Sequence, residues 1–317
     1  MNCVEQAHQL ANQQQATAAI QLLEEGGRSG DPACWVELAV WYLGGEIIPR
    51  DLMKSRESFR LAAELGHVQS RNIHIAMLAN GAGGAANWQE AIRRLAEAAR
   101  TDGSARDELA VIEAMKLGPD GEPQGLIASE RLSESPGASL FPGIFSTEEC
   151  DFLISRSKPS LQPSLVVDPA SGRQVPNPVR TSDAVPFPLI SESPAIHALC
   201  RRLAEASGTG VKQGEPLQVL RYRPGQEYRP HFDAISNSDN QRVLTFLVYL
   251  NDDYEGGETQ FLSSGLRVKG RKGDGLLFRN ADDAGKPDPN SQHAGLPVTA
   301  GEKFLASRWI RARQFTP

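Results

Sequence analysis

The chain has 317 residues, 40% hydrophobic and 23% charged, with a formal net charge of -6. That length allows two domains that each bury a core, and an acidic balance argues against nucleic-acid binding, which calls for a basic face. No apolar run reaches transmembrane length. The opening Met-Asn-Cys-Val-Glu-Gln lacks the basic and apolar regions of a signal peptide. A cytoplasmic protein that engages neither membrane nor nucleic acid is therefore expected. Cys3, Cys34, Cys150 and Cys200 show no paired spacing and read as buried or incidental thiols, not as disulfides or zinc ligands.

Residues 1 to about 118 read as helices, rich in Ala, Leu, Glu, Gln and Arg with glycines as punctuation. Asp31-Pro-Ala-Cys-Trp35 opens one helix that closes at Gly45, and a second runs from Ser55 to Leu65 before Gly66. The pattern restarts at His67, carries Ile73, Ile75, Met77 and Leu78 to Gly81, and continues from Trp88 to Arg100. A third unit opens at Ala105 and runs to Leu117. A period of about 36 residues with two helices each is the signature of helical-hairpin arrays. Phe59-Arg-Leu-Ala-Ala-Glu-Leu-Gly-His67 resembles the turn of Sel1-like repeats, relatives of the tetratricopeptide repeat, over about residues 31 to 103. The resemblance implies a concave face that holds a peptide or protein partner; the alternative is an array that only braces its neighbour. Trp35, Trp41 and Trp88 read as inter-helix packing, and His8, His67 and His74 as surface or packing residues.

Gly118-Pro-Asp-Gly-Glu-Pro-Gln-Gly125 is a breaker cluster, placing a domain boundary near residue 120, with 1–120 helical and 121–317 of mixed character. Ser146-Thr-Glu-Glu149 is a capping box opening a helix to about Ser157. Pro159, Pro163, Pro169, Pro176 and Pro178 exclude a regular central strand across 159–178. Ser193 to Leu203 reads as an amphipathic helix with proline at its first position, with His197 as a structural residue within it. Strand candidates follow at Leu217–Tyr222, Val243–Leu250, Leu266–Val268, Gly275–Phe278, His293–Gly295 and Lys303–Ile310. Many short strands between Gly and Pro turns suggest a sandwich or jelly roll. The expected fold class is α+β: an α-helical repeat array followed by a double-stranded β-helix with flanking helices.

His231 and Asp233 are two apart, so on a strand both would point to one face. With His293 arriving from a distant strand, two imidazoles and a carboxylate would form the facial triad of non-haem Fe(II) oxygenases. A Zn or Mn site of cupin type is the alternative for the same three side chains. The company is more telling: Arg221-Tyr-Arg-Pro-Gly-Gln-Glu-Tyr-Arg-Pro-His-Phe-Asp233, Arg242-Val-Leu-Thr-Phe-Leu-Val-Tyr-Leu250, Asn251, Gly256-Gly257-Glu258-Thr259-Gln260-Phe261, and Lys303 ten residues after His293. Together these resemble the catalytic domain of the prolyl 4-hydroxylases, a branch of the Fe(II)/2-oxoglutarate dioxygenases. Phe141-Pro-Gly-Ile-Phe145 and Arg180-Thr-Ser182 fit the same resemblance.

The resemblance implies an enzyme that hydroxylates a prolyl residue in a peptide or protein, coupled to decarboxylation of 2-oxoglutarate to succinate and CO2. It implies Fe(II) on His231, Asp233 and His293, with 2-oxoglutarate and O2 as cosubstrates and ascorbate as a further cofactor. It places the distal cosubstrate carboxylate on Lys303, with Tyr222 and Tyr249 as hydrogen-bonding partners. Arg180, Tyr228, Thr259 and Trp309 are expected to line the substrate pocket, and residues 162–180 to form a lid. Each tyrosine could instead be a core aromatic, Lys303 a solvent-facing strand residue, and the 162–180 segment a plain surface loop. The same chemistry on a free amino acid or other small molecule is the alternative function, and a non-catalytic helical-repeat scaffold is a further one. Asn280 to Gln292 lengthens the approach to His293 and leaves the shape of the substrate mouth open.

Overall fold

The computed structural model describes residues 2–125, 127–167, 174–176, 179–282 and 284–316. It divides into two compact units, one of residues 1–121 with 188–197, the other of 122–187 with 198–317.

Among the described residues the first unit holds seven whole helices: α1 (Cys3–Asn12), α2 (Ala16–Arg28), α3 (Pro32–Gly44), α4 (Leu52–Glu64), α5 (Val68–Asn80), α6 (Trp88–Ala99) and α7 (Gly103–Ala114). Their starts are chemically marked. Asp31, Asp51, His67, Asn87 and Asp102 cap α3 to α7 by accepting from backbone N–H groups of the first turn, which satisfies donors that the helix itself cannot. Gly45 and Gly81 end α3 and α5 in the left-handed conformation that glycine alone adopts without strain. Helix α4 begins earlier than the apolar spacing implies because Asp51, not Ser55, supplies the cap; Ser55 is buried and donates to the Ala39 carbonyl at 2.9 Å. Trp35, Trp41 and Trp88 are buried among the helices. The boundary near residue 120 is not a single cut, since 188–197 packs with this unit: Asn80 Nδ2 donates to Leu189 O at 2.7 Å and the Ala195 amide to Glu108 Oε1 at 3.0 Å.

The second unit contains β1 (Glu130–Ser133), β2 (Ala138–Phe141), α8 (Thr147–Ser157), β3 (Gln162–Pro163), β4 (Leu165–Val167), β5 (Gln174–Pro176), β6 (Asp183–Phe187) and most of α9 (Pro194–Ala206). It continues through β7 (Leu217–Tyr222), β8 (Tyr228–His231), β9 (Arg242–Tyr249), β10 (Glu255–Gly256), β11 (Thr259–Phe261) and β12 (Arg267–Val268). It closes with β13 (Gly275–Arg279), β14 (His293–Gly295), β15 (Val298–Ala300) and β16 (Lys303–Arg311). Eight strands form one sheet in the order β1-β2-β13-β9-β16-β7-β6-β3, and four form a second in the order β12-β11-β14-β8. Leu220, Tyr222, Leu247, Tyr249, Leu276, Phe278 and Leu305 of the large sheet pack with Phe261 and Val268 of the small one. Those large-sheet positions recur every second residue, as a shared face requires. The intervening residues, among them Val219, Phe246, Val248 and Ala306, are also buried, which is why these strands read as apolar runs and not as alternation. Arg308 sits on this second face, 3% exposed, donating to the carbonyls of Cys200 (2.7 Å), Val211 (2.9 Å) and Glu215 (3.2 Å).

Ser146 and Glu149 form the expected capping box of α8. Strands β4 and β5 pair antiparallel inside the segment expected to be a lid; its residues 168–173, 177 and 178, with Pro169 and Pro178, lie outside the described residues.

Candidate metal centre and its cleft

β8 and β14 pair antiparallel with His231 directly opposite His293. This register brings two histidines distant in sequence to a ring separation of 4.2 Å. Each imidazole donates from Nδ1 to a backbone carbonyl two residues earlier, His231 to Arg229 O (2.8 Å) and His293 to Ser291 O (2.9 Å). Those bonds fix the tautomer and leave both Nε2 lone pairs for a cation. Asp233 completes the set: Oδ1 lies 3.6 Å from His231 Nε2 and Oδ2 3.7 Å from His293 Nε2, and the three ligand atoms all fall within 4.8 Å of one another. Asp233 does not reach this point by strand alternation. β8 ends at His231, and the chain bends so that Phe232 is 44% exposed while Asp233 is buried.

Two residues not singled out from the sequence hold the carboxylate. Thr245 Oγ1 donates to Asp233 Oδ2 at 2.6 Å and accepts from Asn280 Nδ2 at 2.7 Å. Thr245 is 1% exposed and Asn280 0%. A hydroxyl in the apolar run Leu244-Thr-Phe246 is the signal that would have found Thr245, since a buried polar group needs a partner. Burial disfavours the Asp233 carboxylate, but the two imidazoles beside it and the Thr245 hydroxyl outweigh that and hold its pKa below the ordinary range. Burial lowers His293 to about 4, so it is neutral and able to ligate at neutral pH. The neutral His293 imidazole, the His231 imidazole and the Asp233 carboxylate, each oriented by a second hydrogen bond, suit a divalent iron with open positions.

The triad faces a cleft that is also lined by Arg180, Tyr222, Tyr228, Thr259, Lys303 and Trp309. Nine of the ten site residues expected from the sequence thus meet on one cavity. The tenth, Tyr249, lies behind it: fully buried, with its hydroxyl donated to Val268 O (3.1 Å) and Thr259 Oγ1 (3.2 Å). Its hydroxyl is directed at protein acceptors, not at the cleft expected for a cosubstrate contact. Leu220, Leu247 and Leu305 supply apolar walls, and Ser307 a hydroxyl.

Lys303 enters through the register of β16 with β7, where it pairs with Tyr222. It is 2% exposed, with Nζ 2.7 Å from Gly257 O and 5.6 and 5.4 Å from the ring centres of Tyr222 and Tyr249. Burial lowers its pKa to about 7, and nearby Glu258 only partly restores the cation. Tyr228 stacks on His231 at 3.4 Å, and the Arg180 guanidinium lies 5.6 Å over the Tyr228 ring. Arg242 covers the Trp309 ring at 3.6 Å. The Asn280–Gln292 stretch does not displace the triad: it starts with Asn280 behind Asp233 and ends with Ser291, whose carbonyl orients His293.

Residues 217–311 match the family model of the 2OG-Fe(II) oxygenase superfamily. Prolyl 4-hydroxylase 1 of Arabidopsis thaliana is 38% identical over 208 residues, covering 60% of this chain and 74% of that protein. Probable prolyl 4-hydroxylase 6 of the same plant is 38% identical over 209 residues, covering 58% and 72%. Among solved structures, a viral collagen prolyl hydroxylase from Paramecium Bursaria Chlorella virus-1 in complex with 2OG is 33% identical. It covers 56% of this chain and 96% of its own, with a TM-score of 0.46.

Proposed function

Because the chain belongs to the prolyl 4-hydroxylase family of the 2OG-Fe(II) oxygenases, we propose that it hydroxylates a prolyl residue within a peptide or protein. It is a 2-oxoglutarate-dependent dioxygenase that uses Fe(II), 2-oxoglutarate and O2. The observation that carries the reading is the buried Lys303 ammonium in the same cleft as the His231–Asp233–His293 cluster. An ammonium at 2% exposure is costly to keep without an anion beside it, and a dicarboxylate bound next to the triad supplies that anion.

His231, Asp233 and His293 would hold the iron, which when bound couples decarboxylation of 2-oxoglutarate to insertion of one oxygen atom into a C–H bond. The protein's part is positional. One Lys303 proton is donated to Gly257 O, leaving two donors for the distal carboxylate. Tyr222 and Thr259, on facing strands of the same cavity, are assigned to that end, while Leu220, Leu247 and Leu305 exclude water beside it. Tyr228, Arg180 and Trp309 are assigned to the peptide, since aromatic walls suit the extended backbone and rings of proline-rich segments.

Catalysis is assigned to 121–317, and the helical residues 1–120 to holding part of a protein target. Support for the latter is its helical-hairpin organisation, with Met53 and Val40, 70% and 48% exposed, as apolar surface positions on α4 and α3. Aspartate at both should raise KM for a protein target and leave a short peptide unaffected. The deciding experiment is anaerobic titration with Fe(II) and 2-oxoglutarate, then O2 with a panel of proline-rich peptides. Succinate formation that rises with one peptide, together with a mass gain of one oxygen on its proline, is the expected result. Iron and 2-oxoglutarate binding with no peptide stimulation would reject the peptidyl substrate.

A further inference from the structure

Helix α2 carries Gly26-Gly27 in its last turn, where glycine is otherwise unfavourable. Close approach explains the pair. A β-carbon at Gly26 would stand 2.5 Å from the Cys34 sulfur and 2.7 Å from the Cys3 sulfur, and one at Gly27 2.4 Å from the Trp35 indole. The bare backbone is a slot into which α1 and α3 press from two sides, and both sulfurs sit over the same point of it. Cys3 donates to Leu22 O at 3.4 Å and Cys34 to Asp31 Oδ2 at 3.6 Å. Burial first, then the hydrogen bond that the Cys34 thiol makes to Cys3, pushes the Cys34 thiol up. Cys150 and Cys200 belong to the other unit.

We propose that Cys3 and Cys34 are a redox-active dithiol that closes to an intramolecular disulfide, tying the first helix of the helical unit to its third. Cys3 is the half-exposed member and Cys34 the buried one, which sets the order of events with a low-molecular-weight disulfide such as oxidised glutathione as oxidant. The Cys3 thiolate attacks one glutathione sulfur and releases the other glutathione as a thiolate. Cys34 attacks the Cys3 sulfur of the mixed disulfide, and the Cys34 proton passes to the second glutathione sulfur as it leaves. Two protein thiols are oxidised by two electrons and one glutathione disulfide is reduced to two thiols. Cys34 is also the poorer leaving group, because a thiol of high pKa departs slowly; the closed form therefore resists reduction. Closure constrains the chain between α1 and α3 in the unfolded state and ties α1 to α3.

The test uses the full chain in glutathione buffers of graded oxidised-to-reduced ratio, followed by acid quench, alkylation under denaturing conditions and non-reducing peptide mapping. The expected product is a monomer lighter by two hydrogens, with a Cys3–Cys34 linked peptide, alkylated Cys150 and Cys200, and slower amide hydrogen exchange across α1. In Cys34→Ser, glutathione should remain on Cys3. Three results would overturn the proposal: persistence of the Cys3–glutathione adduct in the unaltered chain, linkage between two chains, or both thiols still alkylated in the most oxidising buffer.

Discussion

Replacing Thr245 by valine keeps the shape of the side chain and removes the hydroxyl that joins Asn280 to Asp233. The native hydroxyl donates 2.6 Å to a carboxylate and accepts 2.7 Å from an amide, with all three residues buried. Loss of a hydrogen bond to a charged group is worth about 1.5–3 kcal/mol, and loss of an outer-shell partner lowers metal affinity about 10–100-fold. Thr245→Val should therefore weaken Fe(II) binding within that range. Asn280, already with one amide oxygen lacking a partner, would lose its acceptor too, costing about 1–3 kcal/mol of stability. Anaerobic calorimetric titration with Fe(II), without turnover, reads the first effect and urea unfolding the second. Thr245→Ser retains the hydroxyl and should recover most of the affinity. An Fe(II) Kd for folded Thr245→Val within threefold of the unaltered chain would refute the claim that this relay orients the carboxylate.

His231→Ala and Asp233→Ala should abolish succinate formation while the circular dichroism spectrum stays that of a folded chain; turnover at the native rate in either would reject the metal assignment. Lys303 sets a pH dependence. Its folded pKa of about 7 means that the ammonium needed by a carboxylate is lost as pH rises through that value, so 2-oxoglutarate affinity should fall about tenfold from pH 6 to pH 8. The bound state should take up a proton above pH 7, visible as buffer-dependent heats; a pH-independent Kd would count against the assignment. Because this pKa is depressed, the unfolded chain binds more protons between about 7 and 10.5, and stability rises with pH across that window. Lys303→Met should erase that slope and weaken 2-oxoglutarate binding at least about tenfold without lowering Tm. Arg308→Met strands the carbonyls of Cys200, Val211 and Glu215 and should destabilise the chain by about 1–3 kcal/mol, measured by the urea midpoint.

The helices were legible because their ends are written in local chemistry. Asp31-Pro32, Ser146 with Glu149, and Gly81 act within one turn of the chain, and local signals survive in a one-dimensional reading. The triad and Lys303 were legible as a spaced set of unusual residues within a family pattern. Strands β11 and β15 were not among the expected ones: each has three residues, too few to show a period, and neither carries a marker such as the histidine of β14.

What a linear chain leaves open is which residues meet. His231 faces His293 through the register of β8 on β14, and Asp233 joins them through a bend. Thr245 and Asn280 gain their roles from strand pairing across the large sheet, and Tyr249 turns away because Val268 O and Thr259 capture its hydroxyl. Cys3 and Cys34 looked unrelated until Gly26 let two helices close on one point. The physical reason is common to all: donor and metal-ligand geometry acts over 3–4 Å, while sequence spacing constrains distance only within a turn or a strand. Composition and caps settled what each segment is; packing settled what each side chain touches.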